Sequence, residues 1–144
     1  MNNSDNTVLQ RVRALSATAP FVQHLGIEVV DAGRGWCETR LPLAQHHLQQ
    51  TGVVHAGVQA TLADNTAGAA AATLLDGEEQ TIVSVEFKIN LLRPATGEAL
   101  RCRSEVLKGG RRIIVAQADV LADDGAEKRL VAKAIVTLMP VVSP

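Results

Sequence analysis

The chain has 144 residues, of which 47% are hydrophobic, 20% charged and only 2% aromatic, and its formal net charge is -1. This length fits one domain with a sizeable core, which must be built from aliphatic and small side chains. The near-neutral charge lacks the broad basic field of nucleic-acid-binding proteins, so we expect no nucleic-acid partner. Two distant cysteines, Cys37 and Cys102, imply no disulfide framework and fit free thiols in a reducing cytosol.

The N-terminal sequence MNNSDNTVLQ is polar and does not resemble a secretory signal, so we expect a cytoplasmic protein. One apolar stretch, residues 55–75, approaches the ~20 residues of a membrane span, but polar residues interrupt it. It predicts a buried helix of a soluble protein, and we expect no membrane partner. The four histidines lack zinc-type spacing, so we expect no metal site.

The first half of the chain predicts short elements. Residues 8–15 form a helix within an N-terminal extension (1–18), and residues 21–25 add a turn before Gly26. Residues 27–30 and 36–41 predict two strands, joined by a hairpin turn at residues 33–35. A polar loop then leads to a long helix over residues 57–75.

The second half predicts four strands, at residues 81–92, 98–110, 111–125 and 127–140, with turns at 109–110 and 123–125. Apolar and polar residues alternate in the first of these strands (81–92), which predicts that successive side chains point to opposite faces of the sheet. One face carries Ile82, Ser84, Glu86 and Lys88, and the other carries Val83, Val85, Phe87 and Ile89. Two strands, one long helix and four strands indicate an α+β fold with an antiparallel sheet, one face of which the helix covers.

Asp64 is the one acid in the apolar helix. Its neighbours at i±3 and i±4 are Ala60, Thr61, Ala67 and Gly68, none of which is cationic. Burying a carboxylate is costly unless it is paired or hydrogen-bonded. Two interpretations stay open: Asp64 points to solvent or bonds backbone amides, or it is placed there for chemistry.

A set of polar residues around Asp64 completes a pattern: Gln49, then His55-Ala56-Gly57, then Asp64 in LADNTAG, then Ser84 in VSVEF. This pattern resembles the hotdog-fold acyl-CoA thioesterases of the phenylacetic-acid-degradation (PaaI) type, in the 4-hydroxybenzoyl-CoA thioesterase-like superfamily. The resemblance covers about residues 20–140. It implies an antiparallel six-stranded sheet wrapped around a long central helix, with residues 1–144 as a single domain.

The chain departs from the PaaI-type pattern at two positions. Gln49 stands where that pattern usually has Asn. A neighbouring clade also has Gln at this position, but it carries Glu in place of Asp64. Ala56 replaces the first glycine of His-Gly-Gly, which would be costly if φ were positive there but harmless in a helical conformation.

The resemblance implies hydrolysis of acyl-CoA thioesters, with Asp64 as nucleophile or general base. The backbone N–H of Ala56, with Gly57 as second choice, would donate to the thioester oxygen at the start of the helix. Gln49 would orient water or the thioester, and Ser84 would position the lytic water. His55 would bond the substrate or hold the loop. An ordinary sheet serine at Ser84 and a helix-capping histidine at His55 are the structural alternatives.

Basic residues near two turns are the candidates for the nucleotide end of coenzyme A, whose phosphates favour arginine and exposed amides. They are Arg93, Gly110, Arg111 and Arg112. A solvated hairpin is the alternative for the last three. Coenzyme A is part of the substrate, so no separate cofactor is expected.

The family's active site lies between two protomers, which implies a homodimer and allows a tetramer of two dimers. Gln49 and His55 would then come from one subunit and Asp64 and Ser84 from the other, or the residues would be divided in a similar way. Two rival functions remain. A hotdog enoyl-thioester hydratase usually places its acid before its histidine as D-x4-H, whereas His55 precedes Asp64 here. A non-catalytic acyl-CoA-binding or scaffold module is the other.

Overall fold

The computed structural model describes residues 3–77 and 79–143. The helices are α1 (Asn3–Ala17), α2 (Pro20–Leu25) and α3 (Ala56–Ala72), and a short 3-10 turn spans Gln45–His47. The strands are β1 (Glu28–Gly33), β2 (Trp36–Pro42), β3 (Gln80–Leu91), β4 (Ala99–Lys108), β5 (Ile114–Asp123) and β6 (Lys128–Val142).

The strands form one six-stranded sheet in the order β1-β2-β4-β5-β6-β3, and every neighbouring pair is antiparallel. Helix α3 follows β2 and precedes β3, which lies at the opposite edge of the sheet, so the helix must cross the sheet face. It packs against β2, β3, β4, β5 and β6, and the sheet curves around it. The predicted α+β hotdog fold is confirmed.

The core between α3 and the sheet is built from small side chains. Ala63, Ala67, Ala70 and Ala71 on the helix are fully buried, as are alanines on β5 and β6. Small residues let the helix approach the strands closely, and the larger side chain of Leu62 is fully buried among them. The low aromatic content is therefore compatible with a fully packed interior.

The predicted alternation of β3 is correct only for its first half. Ser84 pairs with Leu138 and Glu86 with Thr137, so Val85 is an extra residue in a β-bulge. Partners in a ladder share a face, so Ser84 points inward with Leu138, whereas Glu86 points outward and its carboxylate accepts a hydrogen bond from Thr137 at 2.8 Å.

Beyond the bulge the two faces are exchanged relative to the prediction. Phe87 pairs with the buried Val136 and therefore points inward, and Lys88 pairs with Ile135 and points outward. The prediction that Glu86 and Lys88 share a face with Ser84 is wrong. One inserted residue shifts a period-two pattern by one position, which alternation alone does not reveal.

Helix boundaries also differ from prediction. Helix α1 begins at Asn3 rather than at residue 8. Helix α3 ends at Ala72 rather than at residue 75, and Thr73 turns the chain toward the β1–β2 hairpin. The Thr73 hydroxyl accepts the Gly35 N–H at 2.7 Å and donates to the Ala70 carbonyl at 2.6 Å.

Candidate active site

Asp64 and Ser84 meet across the interface between α3 and β3. Ser84 Oγ donates a hydrogen bond to Asp64 Oδ1 at 2.6 Å, although the two residues are 20 positions apart. Asp64 is half-buried, and both residues line a cavity of about 450 Å³ between α3, β3 and α1. Among the ion pairs of the described residues, none involves Asp64. The hydroxyl therefore provides the hydrogen bond that a half-buried carboxylate needs.

His55 caps the N-terminus of α3. Its Nδ1 accepts the Gly57 N–H at 2.9 Å, which satisfies one of the amides left without an intrahelical partner. Because Nδ1 is the acceptor, the neutral ring carries its proton on Nε2, which stays free to donate. A Cβ at Gly57 would lie 3.0 Å from His55 Nδ1, so glycine lets the ring approach the helix end.

Ala56 has the free amide at this end of the helix. Gly57, the second choice from the sequence, already donates its N–H to His55, whereas the Ala56 N–H has no acceptor among the described residues. Ala56 is the first residue of α3, and among the described residues only glycines have positive φ. The replacement of the family's glycine therefore costs no backbone strain.

A groove of about 480 Å³ opens beside this amide. Gln49, Ala56 and Arg93 all line it, together with apolar residues of the 91–95 segment. Gln49 Nε2 donates to Thr51 Oγ1 at 2.6 Å, and one guanidinium nitrogen of Arg93 donates to the Leu130 carbonyl at 2.7 Å. The structure thus brings three of the sequence-predicted residues to one groove, which is separate from the Asp64 cavity.

Gln59 is a residue of this groove that sequence reasoning did not select. It is 4% exposed, and its Oε1 has no hydrogen-bond partner among the described residues. Its Nε2 makes only a long bond, 3.4 Å, to the Val54 carbonyl. A buried carbonyl oxygen without a partner is costly. The available signal was a glutamine three positions after Ala56 in an otherwise apolar helix.

The two halves of the predicted site do not meet within one chain. Ala56 and Asp64 are eight residues apart on α3, which corresponds to about 12 Å along the helix axis. An N–H donor must lie about 3 Å from the thioester oxygen, and the attacking group must lie about 3 Å from the carbon of the same carbonyl. One chain therefore cannot supply both to one thioester.

The predicted nucleotide-binding residues also fall into different places. Arg111 and Gly110 line a cavity of about 630 Å³ at the C-terminal end of α3, which Arg34 also lines. Arg112 lines an adjoining cavity with Arg111, whereas Arg93 lies in the groove at the other end of the helix. A Cβ at Gly110 would collide with the Ile113 carbonyl, so the turn requires glycine there.

The burial of His47, Cys37 and Cys102 indicates structural roles for these residues. His47 is buried, accepts the Ala44 N–H through Nδ1 and bonds the Leu25 carbonyl through Nε2, and burial lowers the pKa of its ring. Burial raises the pKa of the Cys37 and Cys102 thiols to about 12.

Within residues 3–77 and 79–143, no group of three His, Cys, Asp or Glu side chains could hold a metal ion. In the same residues, no helix is long and apolar enough to cross a membrane.

Comparison with known proteins places the chain in a family. The model of the thioesterase superfamily matches residues 51–128. A putative esterase of Haemophilus influenzae is 35% identical over 103 residues, which are 72% of this chain and 74% of that protein. Acyl-coenzyme A thioesterase 13 of Pongo abelii is 27% identical over 83% of this chain and 86% of its own length.

A solved structure supports the same family. A thioesterase family protein of Silicibacter pomeroyi superposes with a TM-score of 0.90 at 37% identity, covering 94% of this chain and 99% of that one. The matched region contains Asp64, Ser84 and the start of α3, where the geometry described above is concentrated. The chain belongs to the thioesterase superfamily.

Proposed function

We propose that this protein hydrolyses acyl-CoA thioesters to a free acid and coenzyme A, with Asp64 as the residue that activates or performs the attack. The observation that carries this proposal is the Asp64 carboxylate, held at 2.6 Å by Ser84 at the wall of a cavity. Family membership supports thioester hydrolysis. The name of one relative, an acyl-coenzyme A thioesterase, supports coenzyme A as the carrier.

The Ser84–Asp64 hydrogen bond suggests how water would be held. Ser84 uses its single proton on Asp64 Oδ1, so its oxygen can only accept from a third group. A water molecule could then donate one proton to Ser84 Oγ and the other to Asp64 Oδ2. As the water oxygen attacks the thioester carbon, Asp64 takes the second proton, and breakage of the C–S bond releases the coenzyme A thiolate. In the alternative route, Asp64 attacks that carbon itself, expels the thiolate and forms an anhydride that water hydrolyses.

The thioester oxygen would be stabilised by the Ala56 amide of a second copy of the chain. The Ala56 N–H is unpaired and lies at the positive end of the α3 dipole, which favours developing negative charge. The Gln49 side chain, in the same groove, would orient the thioester or the water. The 12 Å separation within one chain is what requires the second copy.

The exposed edge of the sheet supports a homodimer. Strand β3 is an edge strand with Val83, Val85 and Phe87 at 40%, 53% and 41% exposure. An apolar edge with unpaired backbone groups is a template for pairing, and two such edges can join antiparallel about a two-fold axis. Ile135 and Met139, exposed on the outer sheet face, leave a surface for a dimer of dimers.

Coenzyme A itself requires cationic contacts, and no separate cofactor is needed for hydrolysis. Arg111 and Arg112 at the turn after β4 would bind phosphates, and Gly110 shapes that turn. Arg93 retains guanidinium donors beyond the one that bonds Leu130, and it lies beside Gln49.

The test is hydrolysis of a panel of acyl-CoA thioesters by wild type and Asp64→Asn, with release of free thiol as the readout. We expect turnover that falls by at least about 100-fold in the variant, since Asp64 is the one ionisable side chain among the described residues that line the cavity. Glu28→Gln is the matched control, because that side chain is 62% exposed and lines neither the Asp64 cavity nor the cavity of Gly110 and Arg111. A folded protein that binds acyl-CoA without turnover would instead be a non-catalytic binding module.

Complementation tests the shared site. Gln49→Ala and Asp64→Asn are each expected to be nearly inactive as homodimers. A heterodimer of the two would have one site with both defects and one intact site, so mixing after subunit exchange should restore activity. Absence of restoration from proven heterodimers would place Gln49 and Asp64 in the same site of one chain, against the proposal.

A further inference from the structure

The imidazole of His47 is a buried titratable group that the proposed reaction does not use. It lies in the 3-10 turn Gln45–His47, between β2 and α3, and is 1% exposed. Its Nδ1 accepts the Ala44 N–H at 3.0 Å, and its Nε2 lies 2.8 Å from the carbonyl of Leu25, the last residue of α2. A carbonyl can only accept, so the neutral ring carries its proton on Nε2. This pair of hydrogen bonds therefore exists only in one neutral tautomer.

The backbone of His47 connects the ring to the start of α3. The His47 carbonyl accepts the N–H of His55, the N-cap of α3, at 2.9 Å. Within the loop that this bond closes, Gln49 donates its N–H to the Val53 carbonyl at 2.9 Å. The loop between His47 and His55 thus carries Gln49 and leads directly to the free amide of Ala56. The ring fixes this loop to α2, because its Nε2 bond joins positions 22 residues apart.

Two further histidines lie beside this ring. From its own turn, the His46 ring lies 4.1 Å away between centroids, and from α2 the His24 ring lies 6.3 Å from that of His46. Burial is the main cause that lowers the pKa of His47, the bond to the Leu25 carbonyl raises it, and His46 lowers it again. No carboxylate of the described residues, on α2, β2 or α3, contributes to this pKa. The ring is therefore neutral at pH 7.

Protonation of Nδ1 would set two donors against each other. The Ala44 N–H would point at a ring N–H only 3.0 Å away between nitrogens, and a positive charge would be buried beside His46. An unpaired buried charge and an unsatisfied buried donor are each costly, so the protonated ring favours exposure to water. The loop would move with it, because the His47 carbonyl bonds the His55 N–H.

We infer that His47 is a positioning residue for this site: its neutral ring holds the loop of Gln49 and the start of α3 in place, and protonation of the ring releases the loop and stops hydrolysis in acid. This inference rests on the proposed function, because it takes Gln49 and the Ala56 amide as groups that bind the thioester. His47 acts through these groups and not on the substrate.

The first experiment measures kcat/KM of wild type and His47→Gln from pH 8 to pH 5. Glutamine can donate to the Leu25 carbonyl but does not titrate, so its loop should stay closed in acid. At pH 8 we expect a loss of about 2- to 10-fold in the variant, the value of one neutral hydrogen bond. Every other titratable group is common to both proteins, so the ratio of wild type to variant isolates His47.

This ratio should fall by up to about tenfold per pH unit below the pKa of the His47 ring. A ratio that does not change between pH 8 and pH 5 would overturn the inference and leave thioester hydrolysis intact. His46→Gln is the matched control, because it removes the neighbouring imidazole and keeps both bonds of His47. It should lose activity in acid as wild type does. An acid loss that disappears in His46→Gln and persists in His47→Gln would reject the inference.

A measurement without turnover separates this inference from the proposed function. In wild type labelled with ¹⁵N at histidine, NMR should show the His47 proton on Nε2 at pH 8. As the ring takes up its second proton, the Gln49 and His55 amides should lose protection against hydrogen exchange, while the amides of β5 stay protected. This result in a protein that hydrolyses no thioester would retain the release of the loop and reject hydrolysis. A proton on Nδ1 at pH 8, or protection of Gln49 and His55 that outlasts protonation of the ring, would overturn the inference.

Discussion

Ser84 Oγ lies 2.6 Å from Asp64 Oδ1, and this hydrogen bond joins the inner face of an edge strand to the middle of the central helix. The residue after Ser84 is the bulged Val85, so the serine is the last position of β3 that follows the first register. Because of the bulge, Ser84 and Phe87 both face inward, although they lie three positions apart in the same strand.

The first prediction concerns this hydrogen bond. Ser84→Ala removes the donor to Asp64 and the acceptor for water, and we expect kcat to fall about 10- to 100-fold. A hydrogen bond to a charged group is worth about 1.5–3 kcal/mol, which corresponds to that range. Steady-state hydrolysis of the best acyl-CoA measures it. Ser84→Thr, which keeps the hydroxyl, is the control, and equal activity in Ser84→Ala would contradict the role of this residue.

The second prediction concerns Gln59, whose buried Oε1 lacks a partner. Gln59→Met has a similar shape without the amide, so the free energy of unfolding should rise by about 1 kcal/mol. Urea unfolding monitored by circular dichroism measures this change. Gln59→Glu is the opposing control, because an unpaired buried charge should destabilise by several kcal/mol. A clear loss of stability in Gln59→Met would mean that the amide has a partner in the assembled protein.

The third prediction separates structure from chemistry at His55. His55→Ala removes the cap of α3 and should lower the free energy of unfolding by about 1 kcal/mol. His55→Asn supplies another capping side chain and should restore most of that stability. Activity is measured alongside. If His55→Asn regains stability and turnover together, His55 acts through the helix end; if turnover stays low, its Nε2 donor contacts the substrate.

The fourth prediction uses the bulge. Deleting Val85 removes the extra residue and closes the bulge, which leaves Ser84 opposite Leu138, Glu86 opposite Thr137 and Phe87 opposite Val136. No side chain changes face, so we expect a loss of no more than about 2 kcal/mol, measured by urea unfolding. Val85→Ala keeps the extra residue and is the control, with a cost of no more than about 1 kcal/mol in the isolated chain. A deletion variant that does not fold would contradict this register.

The fifth prediction concerns pH. Burial raises the pKa of the Cys37 and Cys102 thiols from 9.0 to about 12, so the folded protein retains protons that the unfolded chain releases above pH 9. Stability from these groups is therefore present below pH 9 and falls between pH 9 and pH 12. The slope approaches about 1.4 kcal/mol per pH unit per thiol.

Unfolding measured at several pH values checks this expectation, and the double variant Cys37→Ala and Cys102→Ala should lose most of the slope. The chain contains no tyrosine, so that residue does not contribute in this range. In native protein at pH 8 both thiols should resist iodoacetamide and react only after unfolding. Rapid alkylation of the folded protein would contradict the prediction.

The sequence by itself determined the elements and the polar residues worth testing. Local periodicity predicted α3 and the strands, because amphipathic and alternating patterns are local properties of the chain. An acid in an apolar helix and a histidine two residues before a glycine identified Asp64 and the start of α3. Their catalytic roles stay predictions.

The tertiary structure decided which of these residues meet. It paired Ser84 with Asp64, placed Gln49, Ala56 and Arg93 in a different groove, and left Gln59 without a partner. It also shifted the faces of β3 through one bulged residue. These outcomes depend on contacts between positions far apart in sequence and on the register between strands. Neither is encoded in the spacing of residues along a single segment. A one-residue bulge leaves the sequence pattern on each side of it intact, but relative to uninterrupted alternation it exchanges the faces to which all later side chains point.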